Sequence, residues 1–262
     1  NCAPLLNGKI KYKTILGMSG THPKHKEKQD LYNELKLETL SEMSIDTAVE
    51  NKLIAPYKIK IIELELDLKD KYITGGSKLK PFMQTERSRY DYYTRLINMK
   101  LFSNQPVPKF LYLNRMRFLY NLKSKQDFAK KLIPKLEGRT LIFTGSIAQA
   151  EDLCKNTYHS KTDDDKLQKF LKGDINVLAC VNAGGVGYTY RDVENFLITQ
   201  VNSNGKGDST QKIARSLVLQ EGYEANIYIL VVKNTVDEDW LNKVLKDFDP
   251  EKVEYINSKN YG

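Results

Sequence analysis

The sequence predicts an α/β protein built on a doubly wound parallel sheet, and three observations predict it. From Gly138 onward, short runs that are apolar throughout alternate with amphipathic stretches, the pattern of strands covered by helices on both faces. Small and polar residues (Gly, Asn, Asp, Ser) bound those runs and supply turn chemistry. Charge is segregated: residues 71–139 hold 16 Lys and Arg against four Asp and Glu, so this one segment carries more than the whole surplus of +8. It marks a basic insertion ahead of the sheet domain.

Taken in order, residues 11–19 read as a short buried strand ending in Gly and Ser. Residues 23–40 read as a helix, with Pro23 near its start and Leu31, Leu35 and Leu40 at helical spacings. Residues 57–67 alternate polar and apolar, a strand signal. Gly75 and Gly76 break the chain before the basic segment, which reads as mostly helical with a proline-marked loop at 103–108. Then come a strand at 140–144, helices at 148–159 and 163–172, strands at 176–181 and 195–201, a helix at 209–219 that Ser209 can cap, a strand at 225–232 and a helix at 236–245. Acids at the start of the 163–172 helix suit its positive end. The doubly wound domain therefore runs from about 138 to 247.

Composition narrows the function classes. At 40% hydrophobic, the 262 residues can fill a core, which excludes global disorder. No run of about 18 apolar residues exists to span a bilayer, and no signal-peptide pattern opens the chain. Cys2, Cys154 and Cys180 lie far apart, as do His22, His25 and His159, so neither a disulfide framework nor a metal site is expected, and an intracellular setting is the default. No Ser–His–Asp or Cys–His arrangement stands out. Asp163, Asp164 and Asp165 are explained by solvated capping at a helix start.

The basic segment also holds eleven aromatic residues, among them Tyr90, Tyr92, Tyr93, Phe118 and Tyr120. Cations neutralise phosphates and aromatic rings stack on bases, so the mixture suits a nucleic acid, with Arg115 and Arg117 as phosphate contacts. A solvated helical face with ordinary core aromatics is the alternative.

In a doubly wound sheet, ligands bind beyond the carboxyl ends of the strands. Three segments stand there with unusual chemistry: TGS at 144–146, VNAGGVGYTY at 181–190 and NSNGKGDSTQKIAR at 202–215. Thr144, Gly145 and Ser146 offer hydroxyls and open backbone N–H groups to phosphate oxygens. A polar turn is the plainer reading of this stretch, and a strand-to-helix turn that of Gly184, Gly185 and Gly187.

Taken together, LIFTGSIAQAE, VLACVNAGGVGYTY and STQKIARSLVLQEG resemble motifs IV, V and VI of the second motor domain of superfamily 2 helicases. GMSGTHP at 17–23 resembles motif III, usually S-A-T, which ends a strand of the first motor domain. The resemblance covers nearly the whole chain and is closest to phage-type and restriction-enzyme-type DNA helicases. It implies a RecA-like second lobe over 138–262, a remnant of the first lobe over 1–56, and a linker strand with a helical basic insertion over 57–137. It implies an ATP-dependent helicase or translocase acting on DNA in the cytoplasm of a bacterial or phage-infected cell.

Residue by residue, the resemblance directs Gln211, Lys212 and Arg215 at the γ-phosphate region, and Gly187 and Thr189 at the nucleotide. Such an arginine stabilises transition-state charge, and its rigid fork matches phosphate oxygens; a surface arginine on an amphipathic helix is the alternative. Asn182, His159 and Ser160 are directed at the nucleic-acid strand, and Ser19 and Thr21 at coupling nucleotide state to strand movement. Five residues depart from the family pattern, the first being Gly20 in place of the motif III Ala. Lys212 stands for Arg, Ala214 for Gly, Val218 for the last arginine of QRxGRxxR, and Thr189 for Asp or Asn. A valine has no charge to offer, so the expectation is either weakened hydrolysis or compensation by Lys212 or another base.

The sequence holds no GxxxxGKS or GxxxxGKT phosphate loop, and no acidic pair ends an apolar strand before motif III. The expectation is therefore the C-terminal part of a longer motor, with ATP and Mg²⁺ bound mainly by a lobe upstream of Asn1 and no activity in isolation. Non-catalytic nucleic-acid binding on a degenerate helicase fold, or service as the motor of a restriction system, are the rival readings.

Overall fold

A computed structural model describes residue 14 and residues 26–77, 79–181, 190–201, 213, 217–218 and 222–261. In chain order its main elements are helices α1 (Lys26–Glu34) and α2 (Ile45–Glu50), strand β1 (Tyr57–Leu64), and strands β2 (Ile73–Ser77) and β3 (Lys80–Gln84). Three helices follow: α3 (Glu86–Phe102), α4 (Lys109–Tyr120) and α5 (Lys123–Leu132). Then come β4 (Thr140–Thr144), α6 (Ile147–Leu153), β5 (Thr157–Tyr158), α7 (Asp165–Lys172), β6 (Val177–Val181), β7 (Asn195–Ile198), β8 (Ala225–Val232), α8 (Val236–Leu245) and β9 (Val253–Asn257).

Seven strands form one sheet in the order β5-β6-β4-β7-β8-β1-β9, and every pairing in it is parallel. The doubly wound parallel sheet expected from the sequence is present. Its strands are apolar throughout because both faces are covered. Along β8, Ile227, Ile229 and Val231 enter one core with Leu167 and Phe170 of α7 and Leu241 and Val244 of α8. The alternate residues Tyr228, Leu230 and Val232 enter a second core with Leu119 of α4, Leu122 between the helices, and Ala129 and Leu132 of α5.

Tertiary pairing extends this sheet beyond the segment read as a lobe. Strand β1, placed with the linker at 57–137, runs beside β8 from Tyr57↔Ala225 to Leu64↔Val232 and beside β9 from Ile59↔Val253. Residues 119–132 of the insertion supply one of the two cores. Ile45, Val49 and Ile54, within the 1–56 segment, pack on the other. Leu40 and Met43, just before them, are exposed.

Several local expectations change. The helix expected at 148–159 ends at Leu153, because Thr157 and Tyr158 pair with Ala179 and Cys180. The Gly75–Gly76 break lies inside a hairpin, β2 with β3. Gly76 has φ of +83°, and a Cβ there would come within 2.3 Å of the Lys80 carbonyl oxygen, so glycine is required. The expected strand at 11–19, apart from residue 14, and most of the helix at 209–219 lie outside the described residues. Of the latter, Ile213 and Leu217 are described and buried in the core.

Candidate nucleic-acid interface

The basic segment folds as an arm. Helices α3 and α4 run antiparallel: Arg115 Nη1 donates to Thr94 Oγ1 at 3.4 Å, and the rings of Tyr93 and Phe118 lie 6.1 Å apart. Residues 103–108 close the far end, as their prolines predict.

The near end is rooted at the carboxyl edge of the sheet. Beyond β4, Ser146 Oγ donates to Asn121 Oδ1 at 3.0 Å, and Gln149 Nε2 donates to the Tyr120 carbonyl at 3.2 Å. Beyond β8, the Val236 N–H donates to Tyr90 Oη at 2.9 Å, and Tyr120 meets Trp240 edge-on. Beyond β1, the carboxylate of Glu86 is wholly buried. It accepts from the backbone N–H groups of Asp67 and Ser124, each at 3.0 Å, and from the Tyr72 hydroxyl.

One ion pair at the root is itself wholly buried. Lys125 Nζ donates to Asp237 Oδ2 at 2.6 Å with both side chains inaccessible to solvent. Asp237 Oδ2 also accepts from the Val232 N–H at 3.3 Å, while Oδ1 has no partner. Two buried charges attract strongly, but their lost hydration offsets much of that attraction. The pair therefore specifies how the arm seats on the lobe more than it adds net stability. In the sequence Lys125 is one of 16 Lys and Arg over residues 71–139; its partner lies 112 residues away, so no local signal marks it.

The expected strand-contacting residues are placed as follows. Thr144, Gly145 and Ser146 do stand at the carboxyl end of β4, where both hydroxyls and the Gly145 N–H are bonded within the fold. Thr144 is buried, and its hydroxyl donates to the Cys180 carbonyl at 3.2 Å. The Gly145 N–H donates to Gln149 Oε1 at 3.0 Å. Ser146 caps α6, accepting from the Gln149 N–H at 3.2 Å. The physical reason is packing around the turn: the buried Gln149 takes the Gly145 N–H, and the Cys180 carbonyl and Asn121 amide oxygen take the two hydroxyls.

His159 is buried too, and its Nδ1 accepts from the Lys161 N–H at 3.3 Å, whereas Ser160 next to it is exposed. Arg115 is half-buried, lying over the Tyr90 ring at 5.9 Å, so its guanidinium works inside the arm. Arg117 is exposed. Tyr90 is buried, whereas Tyr92 is exposed beneath Arg89.

Ser19, Thr21, Asn182, Gly187, Thr189, Gln211, Lys212 and Arg215 lie outside the described residues. The stretches holding six of them leave the carboxyl ends of β6 and β7, the same edge that roots the arm. An amide, an ammonium and a guanidinium form a donor set chemically suited to triphosphate oxygens. Val218 is described and half-buried. Burial pushes the Cys180 thiol up to about 12 and raises that of Cys154, so neither is a reactive thiolate. Among the described residues no helix is long and apolar enough to cross a membrane, and no group of His, Cys, Asp or Glu is set to hold a metal.

No protein-family model matches the sequence, and no curated protein matches it. Solved structures do match. The C-terminal part of the Fun30 ATPase domain aligns with a TM-score of 0.50 at 14% identity, covering 79% of this chain and 94% of that one. The C-terminal domain of the DEAD-box protein Dbp5 aligns at 0.47 with 17% identity, covering 54% and 88%. S. cerevisiae Dbp5 bound to RNA and ADP BeF3 aligns at 0.45 with 14% identity, covering 78% and 71%. With its parallel seven-stranded sheet and flanking helices, this chain has the fold of a RecA-like C-terminal helicase lobe.

Proposed function

We propose that this chain is the second lobe of an ATP-dependent DNA helicase or translocase, in which a basic helical arm and the carboxyl edge of the sheet hold the nucleic acid together. One observation carries the reading. The arm's root, at Tyr90, Glu86 and Tyr120–Lys125, is tied to the turns after β1, β4 and β8. This is the edge where sheets of this kind place ligands, and where motifs IV, V and VI stand in the sequence. Force on a strand held by the arm therefore bears directly on the motif IV turn.

ATP and Mg²⁺ belong mainly to a partner lobe carrying a phosphate loop, and hydrolysis supplies the free energy for relative motion of the lobes. From this chain, Arg215 and Gln211 reach the γ-phosphate, with Lys212, Gly187 and Thr189 around the nucleotide. Ser19 and Thr21 couple that state to the strand, and Asn182, Ser160 and Arg117 contact its backbone. The resemblance to phage-type and restriction-type motors directs the reading to DNA and to the cytoplasm of a bacterial or phage-infected cell. Val218, in place of the last motif VI arginine, favours a second reading, a nucleic-acid-binding lobe without hydrolysis.

The test uses the protein carrying both lobes. Arg215→Ala is expected to lower DNA-stimulated ATPase activity by about 10³-fold, the scale of an arginine finger, while leaving DNA affinity intact. Parent and variant both lacking ATPase activity, with DNA binding retained, selects the second reading. Absence of DNA binding in the parent rejects both.

A further inference from the structure

The far end of the arm has a surface the function above does not use. Phe102, the last residue of α3, is 88% exposed, and Phe110, in the first turn of α4, is 58% exposed. The two helices run antiparallel across a six-residue loop, so both rings stand at the same end of the arm. Met99, Leu101 and Leu113 beside them are exposed as well. A soluble chain that leaves such rings out of its core has left apolar surface for a contact.

The charge around that surface says what kind of contact. Between Asp91 and Asp127 the sequence has no acidic residue and seven Lys and Arg. Lys100 and Lys109 flank the tip, and Arg117 is exposed further down α4. Among the described residues, Arg95, Lys109 and Arg117 have no ion-pair partner. An apolar tip on an acid-free cationic arm complements a polyanion that also carries apolar faces. A single-stranded nucleic acid is such a molecule, with phosphates for the cations and unstacked bases for the rings. A duplex hides its base faces and does not fit the tip.

Building on the nucleic-acid reading above, we propose that Phe102 and Phe110 form a base-stacking site for single-stranded nucleic acid at the tip of the arm, remote from the motif turns. Phosphates lie along Lys100, Lys109 and Arg117, and the rings take unpaired bases.

The test measures binding of the full chain to fluorescein-labelled oligothymidylate, and to an abasic deoxyribose-phosphate strand of equal length, at several salt concentrations. Phe102→Ala with Phe110→Ala is expected to weaken oligothymidylate binding about tenfold, the scale of one or two lost stacks. Abasic-strand affinity and the salt slope should stay as in the parent. Phe102→Trp with Phe110→Trp should restore binding. Both residues are exposed, so an unchanged thermal midpoint is expected for each variant. Equal loss toward both strands, or no loss toward either, overturns the stacking site; the second outcome leaves the tip to an acidic protein partner. A parent that binds neither strand overturns the nucleic-acid reading itself, and the stacking site with it.

Discussion

The two ends of the basic arm are built from similar residues and meet opposite fates. At the root, Leu119, Leu122, Ala129 and Leu132 are buried, and even Lys125 is removed from water onto Asp237. At the tip, Phe102, Phe110, Met99 and Leu113 stay exposed, flanked by Lys100 and Lys109. Composition does not distinguish them; distance from the sheet does. The root completes a face of the lobe's core and must be satisfied group by group. The rings at the tip stay largely exposed, so folding places little demand on them and leaves them available for contact.

The comparison predicts a steep contrast in stability. Lys125→Ala strands the Asp237 carboxylate in the core and is expected to cost about 3–5 kcal/mol, read as a lowered urea midpoint. Lys125→Met combined with Asp237→Leu should recover most of that loss, since a buried pair contributes little beyond apolar residues of similar size. Phe102→Ala at the tip should change stability by less than about 0.5 kcal/mol. A loss at Phe102 comparable to that at Lys125 erases the distinction between root and tip.

A smaller effect sharpens the link between root and lobe. Ser146→Ala removes the cap of α6 and the bond to Asn121. A lost cap alone costs about 1 kcal/mol. If the arm is coupled to this turn, hydrogen exchange at Tyr120–Leu122 should rise along with that of α6. Faster exchange confined to α6 means the turn and the arm are independent.

The smallest effect is on the far side of the lobe, where Asp46 accepts from Lys252 Nζ at 2.8 Å and from the Tyr57 hydroxyl at 2.7 Å. Burial works to raise the Asp46 carboxyl, but the Lys252 ammonium and the Tyr57 hydroxyl outweigh it and hold it below its usual range. A carboxylate depressed in the folded state contributes stability above its unfolded pKa, and the contribution fades as pH falls through the folded value. The stability gap between the parent and Asp46→Asn should thus be full at neutral pH and close below about pH 4. A gap independent of pH removes the ionic contribution.

Legibility followed locality. Strands 140–144 and 225–232 and helix 236–245 stand where the sequence puts them, because each is a strong apolar or amphipathic run bounded by turn residues. Strand β9, VEYIN, carries a weak apolar pattern and becomes a strand only by pairing with β1. Thr157 and Tyr158 look like the end of a helix until Ala179 and Cys180 lie beside them. At the candidate site, the positions of the TGS turn and of the arm were legible. That Gln149 takes the Gly145 N–H, and that Arg115 is spent inside the arm on Thr94 and Tyr90, was not.

By itself the sequence determined the layered α/β class, the strand ends where ligand chemistry gathers, and the cationic, aromatic character of the arm. These are written in periodicity and charge over a few neighbouring residues. Only the tertiary structure decided that β1 and the arm's root belong to the lobe's sheet and core, which lysine is buried and which arginine faces water. Those outcomes rest on pairings between residues far apart in the chain, where burial and hydrogen-bond satisfaction across the whole fold, rather than local preference, select one arrangement.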